Sequence, residues 1–326
     1  MTDLATAFTG KAKKESKYKR LQRFFRSFEI DFRQIALFVA KLLPINQQAW
    51  VLSMDRTNWK LGKSNINLLF IGIAYRGVSF PLLWVSLPKC GNSNTVERKN
   101  VIDKFITVFG TSKIKCLTAD REFIGQKWFL YLLEKNIHFC IRVKDNFKVI
   151  SSKGNKVAVK ALFRNLRPGE VRILKGQRLI CGVRLFVIGL RLNDGEYLIL
   201  VTDKNSESAI ETYKLRWEIE TLFGCLKTRG FNLESTHITE PERINKLVAL
   251  LAITFCWCHI TGEWLNEIKP IKLKKHGRKA ISIFRYGLDC LRETIFNISD
   301  NFPTFRKLVR LFCRQKDSHM LFAGAS

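Results

Sequence analysis

Between Tyr213 and Lys227 the sequence reads Tyr-Lys-Leu-Arg-Trp-Glu-Ile-Glu-Thr-Leu-Phe-Gly-Cys-Leu-Lys. On a helix advancing about 100° per residue, with Tyr213 at zero, Arg216 falls at roughly 300°, Glu220 at roughly 340° and Lys227 at roughly 320°. A carboxylate therefore shares one narrow stripe with a phenol, a guanidinium and an ammonium, three groups that can hold phosphate oxygens. Leu215, Ile219, Leu222, Phe223 and Leu226 fall on the adjoining arc, which places Glu220 at the edge of the core. A plain surface helix with an Arg216–Glu220 pair is the simpler alternative, although Arg preceding Glu is the poorer orientation for such a pair.

Two further carboxylates close apolar runs that read as strands. Asp55 follows Trp50-Val51-Leu52-Ser53-Met54, and Asp120 follows Ile114-Lys115-Cys116-Leu117-Thr118-Ala119. Each could be a turn aspartate, the common role of Asp after a strand. Taken together, three carboxylates offer the hard oxygen ligands that Mg²⁺ prefers. Two such ions about 3.5 to 4 Å apart can serve an in-line displacement at phosphorus.

Composition points toward the same substrate. The 326 residues carry 56 Lys plus Arg against 28 Asp plus Glu, a formal charge of +28. That excess suggests a polyanionic partner. A chain that is 46% hydrophobic and 12% aromatic can nevertheless bury a core, so a disordered basic tail is excluded. Nine Cys without a regular framework suggest a reduced compartment without disulfides. Cys256, Cys258 and His259 lie in an apolar run with no second half-site, so a buried helix is expected there rather than zinc. The uncharged stretch 247–260 is shorter than the roughly 20 residues of a membrane span.

Several elements must position these groups. Strands are expected at Trp50–Asp55, Ile66–Tyr75 and Val78–Leu87, then a helix at Thr95–Phe109, a strand at Lys113–Asp120, a helix at Gln126–Asn136 and a strand at Ile137–Val143. This is a mixed α/β pattern. A β-rich stretch follows, with strands expected at Val157–Phe163, Val171–Leu174, Arg178–Leu192 and Tyr197–Thr202, the last two joined at Asp194-Gly195. The remainder reads as helical. Basic clusters mark both ends: Lys11, Lys13, Lys14, Lys17, Lys19, Arg20, Arg23, Arg26 and Arg33, interleaved with Phe24, Phe25 and Phe28, and Lys272, Lys274, Lys275, Arg278, Lys279, Arg285 and Arg292. Either is a solvated face or a contact for a nucleic-acid backbone.

Three segments in this order resemble the DDE transposases of bacterial insertion sequences, in the insertion-sequence-four superfamily. They are Asp55-Arg56-Thr57-Asn58-Trp59-Lys60-Leu61-Gly62, Leu117-Thr118-Ala119-Asp120-Arg121-Glu122-Phe123, and the Tyr, Arg, Glu, Lys signature at Tyr213, Arg216, Glu220 and Lys227. The resemblance implies a ribonuclease-H-like α/β fold with an inserted β-rich module and a helical C-terminal region. Its expected layout is a basic helical segment at 1–48, a catalytic domain at 49–144 and 206–231, a β insertion at 145–205 and a basic helical region at 232–326.

The same resemblance implies that Asp55, Asp120 and Glu220 hold two Mg²⁺ or Mn²⁺ ions, and that Tyr213, Arg216 and Lys227 bind DNA. It further implies cut-and-paste transposition of double-stranded terminal repeats into target DNA by a homodimer in the bacterial cytoplasm. Members usually carry a larger N-terminal recognition domain, so recognition of the ends is expected in the C-terminal region, or the chain is a shortened relative. Some relatives stack a flipped base on an aromatic residue of the insertion. No Trp lies there, and Phe147, Phe163, Phe186 or Tyr197 would have to substitute. A silent DNA-binding relative and a ribonuclease-H-like nuclease for branched DNA remain the alternatives.

Overall fold

The computed structural model describes residues 10–43, 45, 48–151, 154–205, 207–275 and 277–313. The chain divides into two compact units, Met1–Asn46 with Trp59–Ile66 and Phe223–Ser326, and Gln47–Asn58 with Asn67–Leu222.

A nine-stranded sheet organises the second unit, although Trp59–Ile66, where its first two strands meet, is grouped with the first. Its strands are β1 (Trp50–Leu61), β2 (Ser64–Tyr75), β3 (Val78–Ser86), β4 (Ile114–Ala119), β5 (Phe139–Val143), β8 (Val171–Ile173), β9 (Arg178–Ile180), β10 (Val183–Arg191) and β11 (Tyr197–Thr202), while β6 (Lys148–Ile150) and β7 (Lys156–Ala158) pair separately. The order is β3-β2-β1-β4-β5-β11-β10-β8, with β9 paired to β10. β1, β4 and β5 run parallel, whereas β2–β3, β5–β11 and β10–β11 are antiparallel. This mixed α/β sheet with flanking helices is the ribonuclease-H-like core expected of the family. The β-rich stretch therefore continues the main sheet through β11.

Helices cover the sheet because its central strands are apolar on both faces. On β5, Phe139 stacks on Phe129 of α4 (Gln126–Glu134) at 5.6 Å. The next residue, Cys140, turns its Sγ toward the Ala209 carbonyl of α5 (Ala209–Lys214). Alternation along one strand thus assigns α4 and α5 to opposite faces. The helix between β3 and β4, α3 (Thr95–Phe109), begins with the capping box Asn94–Glu97 and runs beside α4, where the Tyr131 hydroxyl donates to Asp103 at 2.6 Å.

Two local expectations change. Residues 159–163 form a 3-10 turn rather than a strand, and the Phe163 ring lies against Gly189, where a Cβ would come within 2.5 Å of it. Phe163 is therefore core and is removed from the aromatics open to a base, while Phe147, Phe186 and Tyr197 are half-buried. The run expected as one strand at 178–192 breaks at Cys181-Gly182, both with positive φ, into the hairpin β9–β10.

The first unit is helical, with α1 (Lys14–Ser27), α2 (Phe32–Leu42), the end of α6 (Glu218–Lys227), α7 (Pro241–Ile268), α8 (Ile283–Phe296) and α9 (Phe302–Cys313). Residues 1–9 of the expected N-terminal segment and 314–326 of the C-terminal region lie outside the described residues. Asp31 caps α2 by accepting from the Arg33 and Gln34 amides. Helix α7 is apolar and long enough by composition to cross a membrane, but 56% of its apolar window is buried inside the protein. That burial, with Cys256, Cys258 and His259 inside, makes it the core helix of this unit. Buried Lys246 on α7 donates to the Phe25 and Arg26 carbonyls, which satisfies the C-terminal end of α1.

Helices α7 and α8 cross at glycine. A Cβ on Gly287 would lie 1.8 Å from the Cys258 carbonyl oxygen, and one on Gly262 would lie 2.0 Å from that of Ile283. In an exposed helix Gly→Ala stabilises by roughly 1 kcal/mol. Here the sign reverses: Gly287→Ala should destabilise by about 3 kcal/mol, because the obstacle is backbone and the helices must separate. A denaturant midpoint no lower than that of the parent chain would contradict this packing.

Candidate active site

Parallel pairing of β1 and β4 aligns Met54 with Ala119. Asp55 on β1 and Asp120 just past the end of β4 are the next residues, so neighbouring parallel strands deliver two carboxylates to the same end of the sheet. β1 itself continues to Leu61, and Asp55 marks the point where it leaves β4. The two strands are tied together behind the carboxylates by Thr118, whose hydroxyl donates to the Leu52 carbonyl at 3.0 Å.

The segment carrying the third acid is not one helix. Tyr213 lies on α5, Arg216 in a 3-10 turn at Leu215–Trp217, and Glu220 in the first turn of α6. Arg216 is almost wholly buried, at 3% exposure. Its Nη1 donates to Asp55 Oδ2 at 3.1 Å and its Nη2 to Glu220 Oε1 at 2.7 Å. One planar fork thus joins two of the three acids, 161 residues apart for the Asp55 contact.

Electrostatics differ among the groups. Burial pushes the Asp55 carboxyl up to about 7, with Asp120 and Glu122 adding to the rise and the Arg56 amide and Arg216 opposing it. Burial opposes the charge of Arg216, but Tyr213, Glu220, Asp55 and Asp120 together raise it above its ordinary value. Tyr213 is core, packed with Cys116, Cys140, Leu200 and Ile210, and burial raises its phenol. Its hydroxyl and Asp120 Oδ1 are both buried without a hydrogen-bond partner.

A family model described as a transposase DDE domain matches residues 46–257. The chain belongs to the DDE transposase family. No curated protein matches it. Among solved structures, the piggyBac transposase synaptic complex with hairpin DNA is similar at 12% identity and a TM-score of 0.42, over 97% of this chain and 66% of that one. The chain thus spans just under two thirds of that transposase. Human endonuclease V is similar at 15% identity and a TM-score of 0.28, over 71% of this chain and 93% of the enzyme.

In this transposase domain Asp55, Asp120, Tyr213, Arg216 and Glu220 belong to one unit. Lys227, at the end of α6, belongs to the other, where it pairs with Glu234 at 3.0 Å and lies over the Trp59 ring. The family implies use of a divalent metal. Among the described residues no three His, Cys, Asp or Glu side chains form a cluster that could hold an ion, and Asp55 and Glu220 are both bonded to Arg216. The donor chemistry does fit: these are carboxylates, and the buried Asp120 Oδ1 lacks any donor.

Sequence reasoning passed over two features. Arg56, inside the first motif, donates to Asn67 at 3.0 Å, Asn92 at 3.3 Å and Glu122 at 3.3 Å, which links the residues after Asp55 and Asp120. Glu218 is buried two residues before Glu220. The charged character of Arg56 and Glu122 beside each motif was visible. Their pairing, between β1 and the turn after β4, was not.

Proposed function

We propose that this chain catalyses cut-and-paste transposition: metal-dependent cleavage at the ends of its own element, followed by attack of the freed 3′-hydroxyl on target DNA. The observation that carries the reading is the delivery of Asp55 and Asp120 by adjacent parallel strands, with Glu220 linked to Asp55 through Arg216. The insertion-sequence-four subgroup rests on the Tyr213, Arg216, Glu220, Lys227 spacing.

Asp55, Asp120 and Glu220 would hold two Mg²⁺ or Mn²⁺ ions. The chemistry these supply is activation of the attacking oxygen and stabilisation of the leaving one. Asp120 offers a buried oxygen that no donor occupies, and Asp55 would serve as a ligand in its ionised form, as any carboxylate holding a cation must. Arg216 holds Asp55 and Glu220 at a fixed separation. Lys227 is assigned to a phosphate contact; Tyr213 and Arg216, which the signature would also assign there, are buried at 2% and 3% exposure and turn to the core and to the two acids instead.

DNA is the partner that the +28 charge favours. Within the helical unit, Lys19, Gln22, Arg23, Arg26 and Arg243 line a cleft of about 540 Å³ suited to backbone contacts. At the other basic cluster, Arg285 pairs with Asp289 and Arg292 donates to the Gly230 carbonyl, so these two serve the fold as well. A homodimer acting on the bacterial nucleoid completes the proposal.

The test is excision from a plasmid carrying the element, with and without Mg²⁺. Metal-dependent release of the element supports the reading. Shifted but uncut DNA would identify a silent binder, and cleavage of branched junctions regardless of terminal repeats would identify a nuclease.

A further inference from the structure

Glu218 opens α6 with its side chain buried at 8% exposure. The carboxylate points to the β2–β3 turn, where Arg76 and Gly77 both have positive φ. Oε1 accepts the Gly77 amide at 2.8 Å, and the Tyr75 backbone also bonds to the carboxylate. Oε2 is buried with no donor. A half-satisfied buried carboxylate is a costly way to fill this space, and an apolar side chain of similar volume would cost less. Stability alone therefore does not explain an acid here.

Geometry offers an explanation. Glu218 and Glu220 lie roughly 200° apart around the helix and about 3 Å apart along it. Arg216 grips α6 on the side of Glu220, and Glu218 ties the opposite side to a turn of the sheet. We propose that Glu218 is a positioning residue, which fixes the rotation of α6 by anchoring its first turn to the β2–β3 turn and so aims Glu220. This rests on the reading of Glu220 as a catalytic acid. Misplacing a reacting group by about 1 Å can cost a hundredfold in rate.

The experiment uses the full chain and its own terminal-repeat DNA. Glu218→Gln keeps an acceptor for Gly77 and should cleave within about threefold of the parent, whereas Glu218→Met fills the volume without an acceptor and should lose about a hundredfold in kcat at unchanged KM. Glu218→Met removes the unpaired oxygen but also the acceptor of the Gly77 amide, two effects of opposite sign on stability, so cleavage is compared well below the melting temperature of both chains, where a merely structural role predicts no loss of rate. Amide exchange at Gly77 gives a readout free of catalysis: it should be slow in the parent and in Glu218→Gln, and faster in Glu218→Met. Parental cleavage by Glu218→Met, inactivity of Glu218→Gln, or unchanged Gly77 exchange in Glu218→Met would each overturn the proposal. A parent chain that never cuts its ends would instead refute the transposase reading, with the exchange result still deciding whether the anchor exists.

Discussion

Glu220→Gln should abolish strand cleavage while leaving binding to end DNA intact. The amide keeps the shape and an oxygen for Arg216 Nη2, which donates to Oε1 at 2.7 Å, so α6 has no reason to move. What disappears is a negative oxygen donor for a hard cation, which an amide oxygen replaces poorly. Removing one member of a catalytic set that acts as a unit costs as much as removing several, so the loss should be on the order of a thousandfold or more. Gel-shift affinity within a factor of two of the parent, alongside single-turnover cleavage of a labelled repeat end, is the required pair of measurements. A Gln variant that cuts at the parental rate would sink the proposed assignment of Asp55, Asp120 and Glu220, which treats the three as one site.

The second large effect is expected at Arg216, and it should appear first in stability. Arg216→Ala leaves Asp55 facing Asp120 and Glu122 in a buried setting without its compensating cation. Breaking a buried pair by removing one partner costs about 3 to 5 kcal/mol. The Glu220 half of the bridge contributes little to that figure, since its side chain is 42% exposed and solvent screens it, whereas the Asp55 side chain is 16% exposed. Because the Asp55 carboxyl, already raised to about 7, can take up a proton once the guanidinium is gone, a loss of about 1 to 3 kcal/mol is expected near neutral pH, growing as pH rises above that value. Arg216→Lys should recover part of the stability but little activity, because a single ammonium cannot bridge two carboxylates in a fixed plane. Combining Arg216→Ala with Asp55→Asn should restore stability by removing the stranded charge, and should restore no cleavage. A double variant no more stable than Arg216→Ala would show that the Asp55 pair is not the source of the effect.

Much of the scaffold was legible along the chain. Helix Thr95–Phe109 was bounded correctly because Asn94 and Glu97 form a capping box and Gly110 ends the run. Strands β2, β3 and β11 were visible as apolar runs between turn residues, since a buried strand announces itself by composition. Where local pattern misled, tertiary packing was the cause. Residues 159–163 have the composition of a strand, yet they coil as a 3-10 turn that seats Phe163 against Gly189. The Tyr213 to Lys227 stripe assumed one helix, and the 3-10 turn at Leu215–Trp217 interrupts it, with Tyr213 buried among core residues and Trp217 exposed.

By itself the sequence determined the family, through three motifs in order, and the basic charge that suits a DNA partner. Both are properties of residue identity and spacing, which survive without coordinates. Only the tertiary structure decided that Asp55 and Asp120 leave adjacent parallel strands, that one buried guanidinium joins Asp55 to Glu220, and that Glu218 turns inward to the Gly77 amide. The physical reason is that each of these contacts joins residues more than sixty positions apart or depends on which face of a short helix is buried. Such choices are made by strand register and packing, and no local periodicity records them.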